Sequence, residues 1–530
     1  MVTTRPFFIN KAMSKPPICI MLVRSACYTK TAGRQTHHTI LQPDFIVLWQ
    51  GAILIHNVDL LQNRVGVLLL RLSCPAMAGM VLYALLSLAD TYFVARLGAA
   101  ALAALTLCLP VQVLIVSIAA ATGTGLTSLI GRMLGCEEYQ HGDNIAWHGI
   151  IITLVYSVVF LCFGYRYQEP LLILFGCTDE TMALARGYLS IALPGSIFAL
   201  VQIVLGNILQ GEGDTVLPVA ASLAAVFLNV LLDPVFIFGI GPVPALGLNG
   251  AAWAGLLAQM SSLAMMIAVM MRKRAYLSWS IKHFRLRPRI ILAIYKVGLP
   301  ALVMELVGVL TMVYINRILA DFSFAAVAAL GIFLRVRSLV FMPVGGLIQG
   351  TMPIASFAFG AGRFERVKEV LVKASALAVF IMGLGWLVMQ IYPHWIMGFF
   401  SRDAGLTAIA VDALRLSTIV LPLVGPIIIL STVLQAVGKG MAAMWLSLAR
   451  QVLFFLPGLI WLPAYLGLNG VWLAFTLSEL LSLGVFLAFW GRLWKELQPG
   501  RKTPILGLLR RGAWAKRLWA WLRWQGLYFW

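Results

Sequence analysis

Apolar runs of about twenty residues recur along the chain from residue 65 onward, and they constrain the fold more than any other feature. Each is long enough to cross the ~30 Å of hydrocarbon in a bilayer. Only helices or a closed barrel can satisfy their own backbone there. A barrel would show weak alternating segments, whereas these runs are continuous. Composition agrees: 61% of the residues are hydrophobic and 11% are charged, against about 25% charged in soluble domains. The expected fold class is an all-α integral membrane protein with twelve transmembrane helices. The spans fall near 66–95, 101–131, 144–167, 181–210, 215–239, 247–271, 293–319, 324–360, 370–392, 413–438, 441–467 and 468–494.

The chain repeats internally. Leu246-Gly-Leu-Asn-Gly250 returns as Leu466-Gly-Leu-Asn-Gly470, and Leu193-Pro194 as Leu421-Pro422. Gly123-Thr124 with Gly135 returns as Gly350-Thr351 with Gly362. Ala101-Leu-Ala-Ala-Leu105 returns as Ala326-Val-Ala-Ala-Leu330. Four matches in one order at similar offsets mark two halves. Each half holds an even number of spans, so the halves are parallel repeats related by pseudo-twofold symmetry along the membrane normal. Such repeats are characteristic of transporters, with the substrate site between the halves.

The domains read as an irregular extension (1–65), a first six-helix lobe (66–271), a basic linker (272–292), a second six-helix lobe (293–494) and a basic, Trp-rich tail (495–530). The tail alternates Trp and Leu with Arg and Lys, as in a helix lying on an anionic leaflet; an unstructured basic tail is the other reading. The net charge of +20 follows the positive-inside bias rather than nucleic-acid binding. Arg272, Lys273, Arg274, Lys282, Arg285, Arg287 and Arg289 crowd the linker. Arg363, Arg366 and Lys368 follow span eight, and Lys439 follows span ten. These loops share one side, which places them and both termini in the cytoplasm. The seven cysteines contain no C-x-x-C pair and read as packing residues. His141, His148, His283 and His394 lie near span ends, where wetted positions are expected.

Buried polar residues carry the functional signal, because an intramembrane acid is a functional-site hypothesis by default. Asp90 is the only acid in the run 65–98, and Pro75 in the same span is a candidate hinge. Asn229 and Asp233 are four apart and share one face of span five. With Asp90 they would form a polar pocket that binds H⁺ or Na⁺. Two carboxylates close together in low dielectric disfavour double ionisation, so one can load a proton. The alternative is a structural hydrogen-bonded cluster. Glu305, near Pro300 in span seven, reads either as a cavity acid or as a partner for Arg335, Arg337 or Arg450. Glu479 reads as a structural partner of one of those arginines. Asn207 either lines the first-lobe cavity or bonds helix to helix.

Taken together, Pro75 with Asp90-Thr91 and Leu97-Gly98, Gln210-Gly-Glu-Gly-Asp-Thr215 with Pro218, Asn229-Val-Leu-Leu-Asp233-Pro234 with Ile237-Phe-Gly239, Gly250-Ala-Ala-Trp-Ala254, and Gln349-Gly-Thr-Met-Pro353 with Gly360-Ala-Gly362 resemble the multidrug and toxic compound extrusion (MATE) family. The acids in spans one and five make the chain resemble its DNA-damage-inducible (DinF-like) branch. The resemblance covers roughly 66–492. It implies two lobes around a central cavity and alternating access. It also implies export of amphipathic, often cationic drugs or metabolites in exchange for H⁺ or Na⁺, across a bacterial inner membrane. In the family's Na⁺-site pattern a hydroxyl residue often follows Gly-Ala-Ala-x-Ala, whereas Gly255 stands here; a missing oxygen ligand favours protons.

The expected partners are small molecules and membrane lipids, with no nucleic acid, no cofactor beyond the coupling ion and no metal, and the chain is expected to act as a monomer. A lipid-linked oligosaccharide flippase of the same superfamily is the alternative. Its pyrophosphate substrate calls for cavity cations, so the first-lobe acids count against it, while Arg335, Arg337 and Arg450 count for it. No phosphate loop, zinc-protease helix or nucleophile elbow is present, and an enzyme is not expected.

Overall fold

The computed structural model describes residues 60–61, 63–240, 244–272, 276–400 and 403–497. The extension up to residue 59, Lys273, Arg274, Arg402 and the tail from residue 498 lie outside the described residues. The first half contains α1 (Val65–Ala95), α2 (Ala99–Gly135), α3 (Tyr139–Leu174), α4 (Asp179–Gly211), α5 (Val216–Phe238) and α6 (Leu248–Arg272). The second contains α7 (Pro288–Phe322), α8 (Phe324–Gly360), α9 (Phe364–Ile391), α10 (Pro393–Phe400), α11 (Ala404–Thr418), α12 (Leu421–Ala436), α13 (Gly440–Leu448), a π-helical turn (Ala449–Phe455), α14 (Leu456–Leu466) and α15 (Leu468–Glu496). Among the described residues, eleven helical stretches are long and apolar enough to span a bilayer, and the bent pair α11–α12 makes a twelfth.

The repeat is visible in the backbone. Gly247 and Gly467 both adopt positive φ, 57° and 58°, a region that side chains with a Cβ rarely enter. Three residues later, Gly250 presses on the Phe236 carbonyl and Gly470 on the Leu462 carbonyl. The shared pentapeptide therefore builds one tight turn twice, at the starts of α6 and α15.

The two halves part company at span ten. The expected span 413–438 begins earlier, at Ala404, and bends by 53° between Thr418 and Leu421. Pro422 cannot donate to the Thr418 carbonyl, and it biases Leu421 away from helical geometry. The equivalent Pro194 lies inside the continuous helix α4. Span eleven is also interrupted, by the π-helical turn that precedes Pro457.

The lobes meet along α1–α8, α2–α7 and α2–α8. Glycines permit the approach: any Cβ at Gly346 would strike the backbone of Ala76 and Met77, and one at Gly298 would strike the Ala121 carbonyl. Cross-lobe hydrogen bonds cluster in the same half of the bundle. Ser128 Oγ donates to the Gln435 carbonyl (2.6 Å), and Gln210 Nε2 to Gln349 Oε1 (3.2 Å).

The inter-lobe segment is fastened to α3. Asp143, 2% exposed, accepts from Ser278 Oγ and from Trp279 N at 3.2 Å, and lies 2.7 Å from His283 Nδ1. Asn144 Oδ1 accepts from Arg285 N (3.1 Å). His148 Nε2 accepts from Arg287 N (3.0 Å) while its Nδ1 lies 2.7 Å from the Asn144 carbonyl. His148 is therefore buried and bonded through both ring nitrogens, not wetted. Its ring satisfies a linker N–H that would otherwise lack a partner.

Candidate functional site

The first-lobe site is assembled from five helices. One turn of α5 carries Asn229 and Asp233, and Asn229 Nδ2 donates to Asp233 Oδ1 at 3.1 Å. Pro234 follows on the same turn, so the Val230 carbonyl loses its helical donor. Asp233 is fully buried, and its Oδ2 meets no hydrogen-bond donor among the described residues. Across from it, α1 brings Asp90 within hydrogen-bonding reach. Two ionised carboxylates would repel in this setting, and a single proton between them would supply the missing donor. Gly255 on α6 completes one wall: a Cβ there would lie 3.9 Å from Asn229 Nδ2.

Three residues not singled out in the sequence meet this site. Gln112 Nε2 on α2 donates to Tyr188 Oη on α4 at 3.2 Å, and the Tyr188 hydroxyl lies in the field of both Asp90 and Asp233. Tyr83, two turns before Asp90 on α1, also faces that acid. An intramembrane Tyr and Gln are signals in themselves, since buried hydroxyls and amides need partners. Their pairing across 76 residues has no counterpart in local periodicity.

Pro75 sits on α1 between two ties to α5. On one side Thr215 Oγ1 donates to the Leu72 carbonyl at 2.8 Å. On the other lies the Asp90–Asp233 pair. Asn207 on α4 spends its side chain within the first lobe: Nδ2 donates to the Ile203 carbonyl (2.8 Å), and Oδ1 accepts from Thr127 Oγ1 of α2 (3.2 Å). Glu305 is exposed on α7 and stands apart from the first-lobe site. The acid that meets the second-lobe arginines is Glu479, whose Oε1 lies 3.5 Å from Arg337 Nη2.

A sequence profile of the MatE family matches residues 75–235 and again 300–460. The chain belongs to the MatE family. The two matches fall on the two halves defined by the repeat. Members of this family are transporters, so the chain is a multi-pass membrane transporter and not an enzyme. A FAD transporter of Shewanella oneidensis is 29% identical over 430 residues, 80% of this chain and 93% of that protein. The multidrug export protein MepA of Staphylococcus aureus is 24% identical over 422 residues, 79% of this chain and 92% of that one. Among solved structures, an outward-facing multidrug resistance MATE transporter superposes with a TM-score of 0.78 at 27% identity, covering 83% of this chain and 98% of that one. A MOP superfamily transporter from Pyrococcus furiosus, described as having a binding pocket of reverse polarity, gives 0.77 at 26% identity over 83% and 98%.

Proposed function

We propose that this MatE transporter is a proton-coupled antiporter that exports amphipathic small molecules by alternating access. The observation that carries the reading is the facing of Asp90 and Asp233 beside Asn229. The pair takes up one proton where the two carboxyls meet and gives it up when substrate or the opposite membrane face displaces it. Gly255 offers no hydroxyl oxygen to this site, so a full shell of hard oxygens for Na⁺ is lacking. The two acids also support the DinF-like branch. In this reading Pro75 lets α1 bend between its two ties to α5, and Glu305 stands at the open face of α7. Asn207 holds α2 to α4 behind the cavity.

In this reading the basic loops and both termini face the cytoplasm of a bacterial cell, and the chain acts as a monomer among inner-membrane lipids. The glycine-rich lobe contact then closes the cytoplasmic side, and the acids lie toward the outside. Amphipathic drugs and flavin nucleotides are the first substrates to try, given relatives that export drugs and carry FAD. The flippase alternative is disfavoured by the paired acids of the first lobe, which suit a cation rather than a pyrophosphate, and by relatives named for drug export and FAD transport.

Ethidium efflux from energised cells tests the reading at matched expression of wild type, Asp90→Asn and Asp233→Asn. Loss of efflux in both variants, with wild type stopped by collapse of the proton gradient alone, supports it. Normal efflux by the variants, or arrest by Na⁺ collapse alone, refutes it.

A further inference from the structure

The second lobe contains a polar cluster at the helices that repeat the first-lobe site, and its charge is reversed. Arg337 stands on α8, Arg450 on the π-helical turn and Glu479 on α15. Two cations face one acid, where the first lobe sets two acids together. Arg337 is held firmly: its guanidinium lies 4.6 Å from the Phe341 ring centroid and 5.7 Å from that of Phe475, with Glu479 Oε1 at 3.5 Å. That pair uses one oxygen of the single acid.

Arg450 is left over. Its guanidinium lies in the field of Glu479 and Arg337, yet among the described residues it makes no hydrogen bond or ion pair. Two buried acceptors, Glu479 Oε2 and Oε1 of Gln451, the next residue along the turn, also lack a hydrogen-bond partner among the described residues. Gly308 on α7 leaves room at this point, since a Cβ there would come no closer than 3.9 Å to Gln451 Oε1. A guanidinium inside a membrane protein that makes no hydrogen bond is costly and is a functional-site hypothesis by default. A π-helical turn is rare and recurs at functional sites. The groups lacking partners define what fits: an oxyanion for Arg450, with a neighbouring hydroxyl or N–H for Glu479 and Gln451.

We propose that Arg450 is the anchor of an oxyanion subsite in the second lobe, which takes a phosphate or carboxylate of the exported molecule. The proposal rests on the exporter reading and narrows its substrate class. Accepted molecules include amphiphiles that carry an anion, not cations alone. The proton site in the first lobe and the anion site in the second then occupy pseudo-equivalent places with opposite charge.

The test uses the full chain in phosphatidylcholine nanodiscs. Binding of FAD, of riboflavin (the same ring system without phosphates) and of ethidium is titrated by tryptophan fluorescence. Wild type is expected to bind FAD about tenfold or more tightly than riboflavin, the effect of a charge-assisted hydrogen bond. Arg450→Gln should erase that preference, and Arg450→Lys should restore part of it. Pyrophosphate and acetate, added separately to wild type, should displace FAD more than ethidium, and the stronger competitor identifies phosphate or carboxylate. This arm needs no variant to fold. Should phosphatidylglycerol nanodiscs suppress the preference, the occupant is a lipid phosphate and the assignment to the exported molecule is overturned. Equal binding of FAD and riboflavin by wild type overturns the proposal, as does a parallel loss of all three ligands in a folded Arg450→Gln. Proton-dependent ethidium efflux is scored separately, so a failed anion subsite leaves the exporter reading intact.

Discussion

Asp90 on α1 and Asp233 on α5 face each other within hydrogen-bonding reach, although 143 residues separate them. Each is the only acid of its helix, so the contact joins the two helices through a single charge-bearing pair. Protonation converts a repulsive contact into a hydrogen bond, and loss of that proton reverses it. The pair is thus a two-state element between α1 and α5, and Pro75 lies on α1 between it and the Thr215 tie.

A pH dependence follows with a definite sign. In de-energised wild type, a cationic ligand competes with the proton, so ethidium binds more tightly as pH rises from mildly acidic to mildly alkaline. Asp233→Asn removes the like-charge neighbour and one titrating group, so its ethidium affinity should change little over the same range. Parallel titrations of both proteins check this, and an unchanged pH slope in the variant refutes it.

Tyr188→Phe removes the hydroxyl that accepts from Gln112 and leaves the ring in place. A buried hydrogen bond is worth about 1 kcal/mol, so the variant should fold with little loss of thermal stability. Its proton-driven ethidium efflux should fall by about fivefold. Efflux assays on Tyr188→Phe and Gln112→Leu, each followed against pH, separate a shift in proton handling from simple destabilisation. Only the former moves the pH optimum.

The span count, the repeat and the first-lobe acids were legible in the sequence because each rests on a local signal: continuous apolar runs, a copied pentapeptide, an i,i+4 pair. The break in span ten was harder to see. Leu193-Pro194 and Leu421-Pro422 are the same dipeptide, and only packing decides that α4 stays whole while α11 and α12 part. Tyr188 and Gln112 were missed because their pairing is a property of the α2–α4 contact. His148 was misread because its second partner, Arg287 N, lies 139 residues away.

Asp143→Ala should release the linker. It leaves the Trp279 N–H, the Ser278 hydroxyl and His283 without their shared acceptor. The expected cost is about 1–3 kcal/mol, and cleavage within 276–287 should become faster in limited proteolysis. Unchanged cleavage would mean that Asn144, His148 and Glu212 suffice to hold the segment.

Gly250→Ala and Gly470→Ala test whether the two turns are one device. In each, an added Cβ strikes the carbonyl of the preceding helix, Phe236 in one and Leu462 in the other. Overpacking against backbone costs about 1–3 kcal/mol. Similar losses of thermal stability are expected for the two variants. A large loss in one alone would show that the turns carry different loads.

Arg337 and Glu479 invite a double-mutant cycle. Glu479 is 5% exposed and Arg337 20%, so removing the acid leaves two arginines facing each other away from water. Glu479→Leu should cost about 3–5 kcal/mol, and Arg337→Met alone should also destabilise, since each strands a buried charge. Combining the two removes both charges of the pair, and the double variant should recover much of the loss. Thermal unfolding of the four proteins in one detergent gives the coupling. Strict additivity would show that the 3.5 Å contact contributes nothing beyond proximity. Positive coupling would establish Glu479 as the partner that holds Arg337 in place.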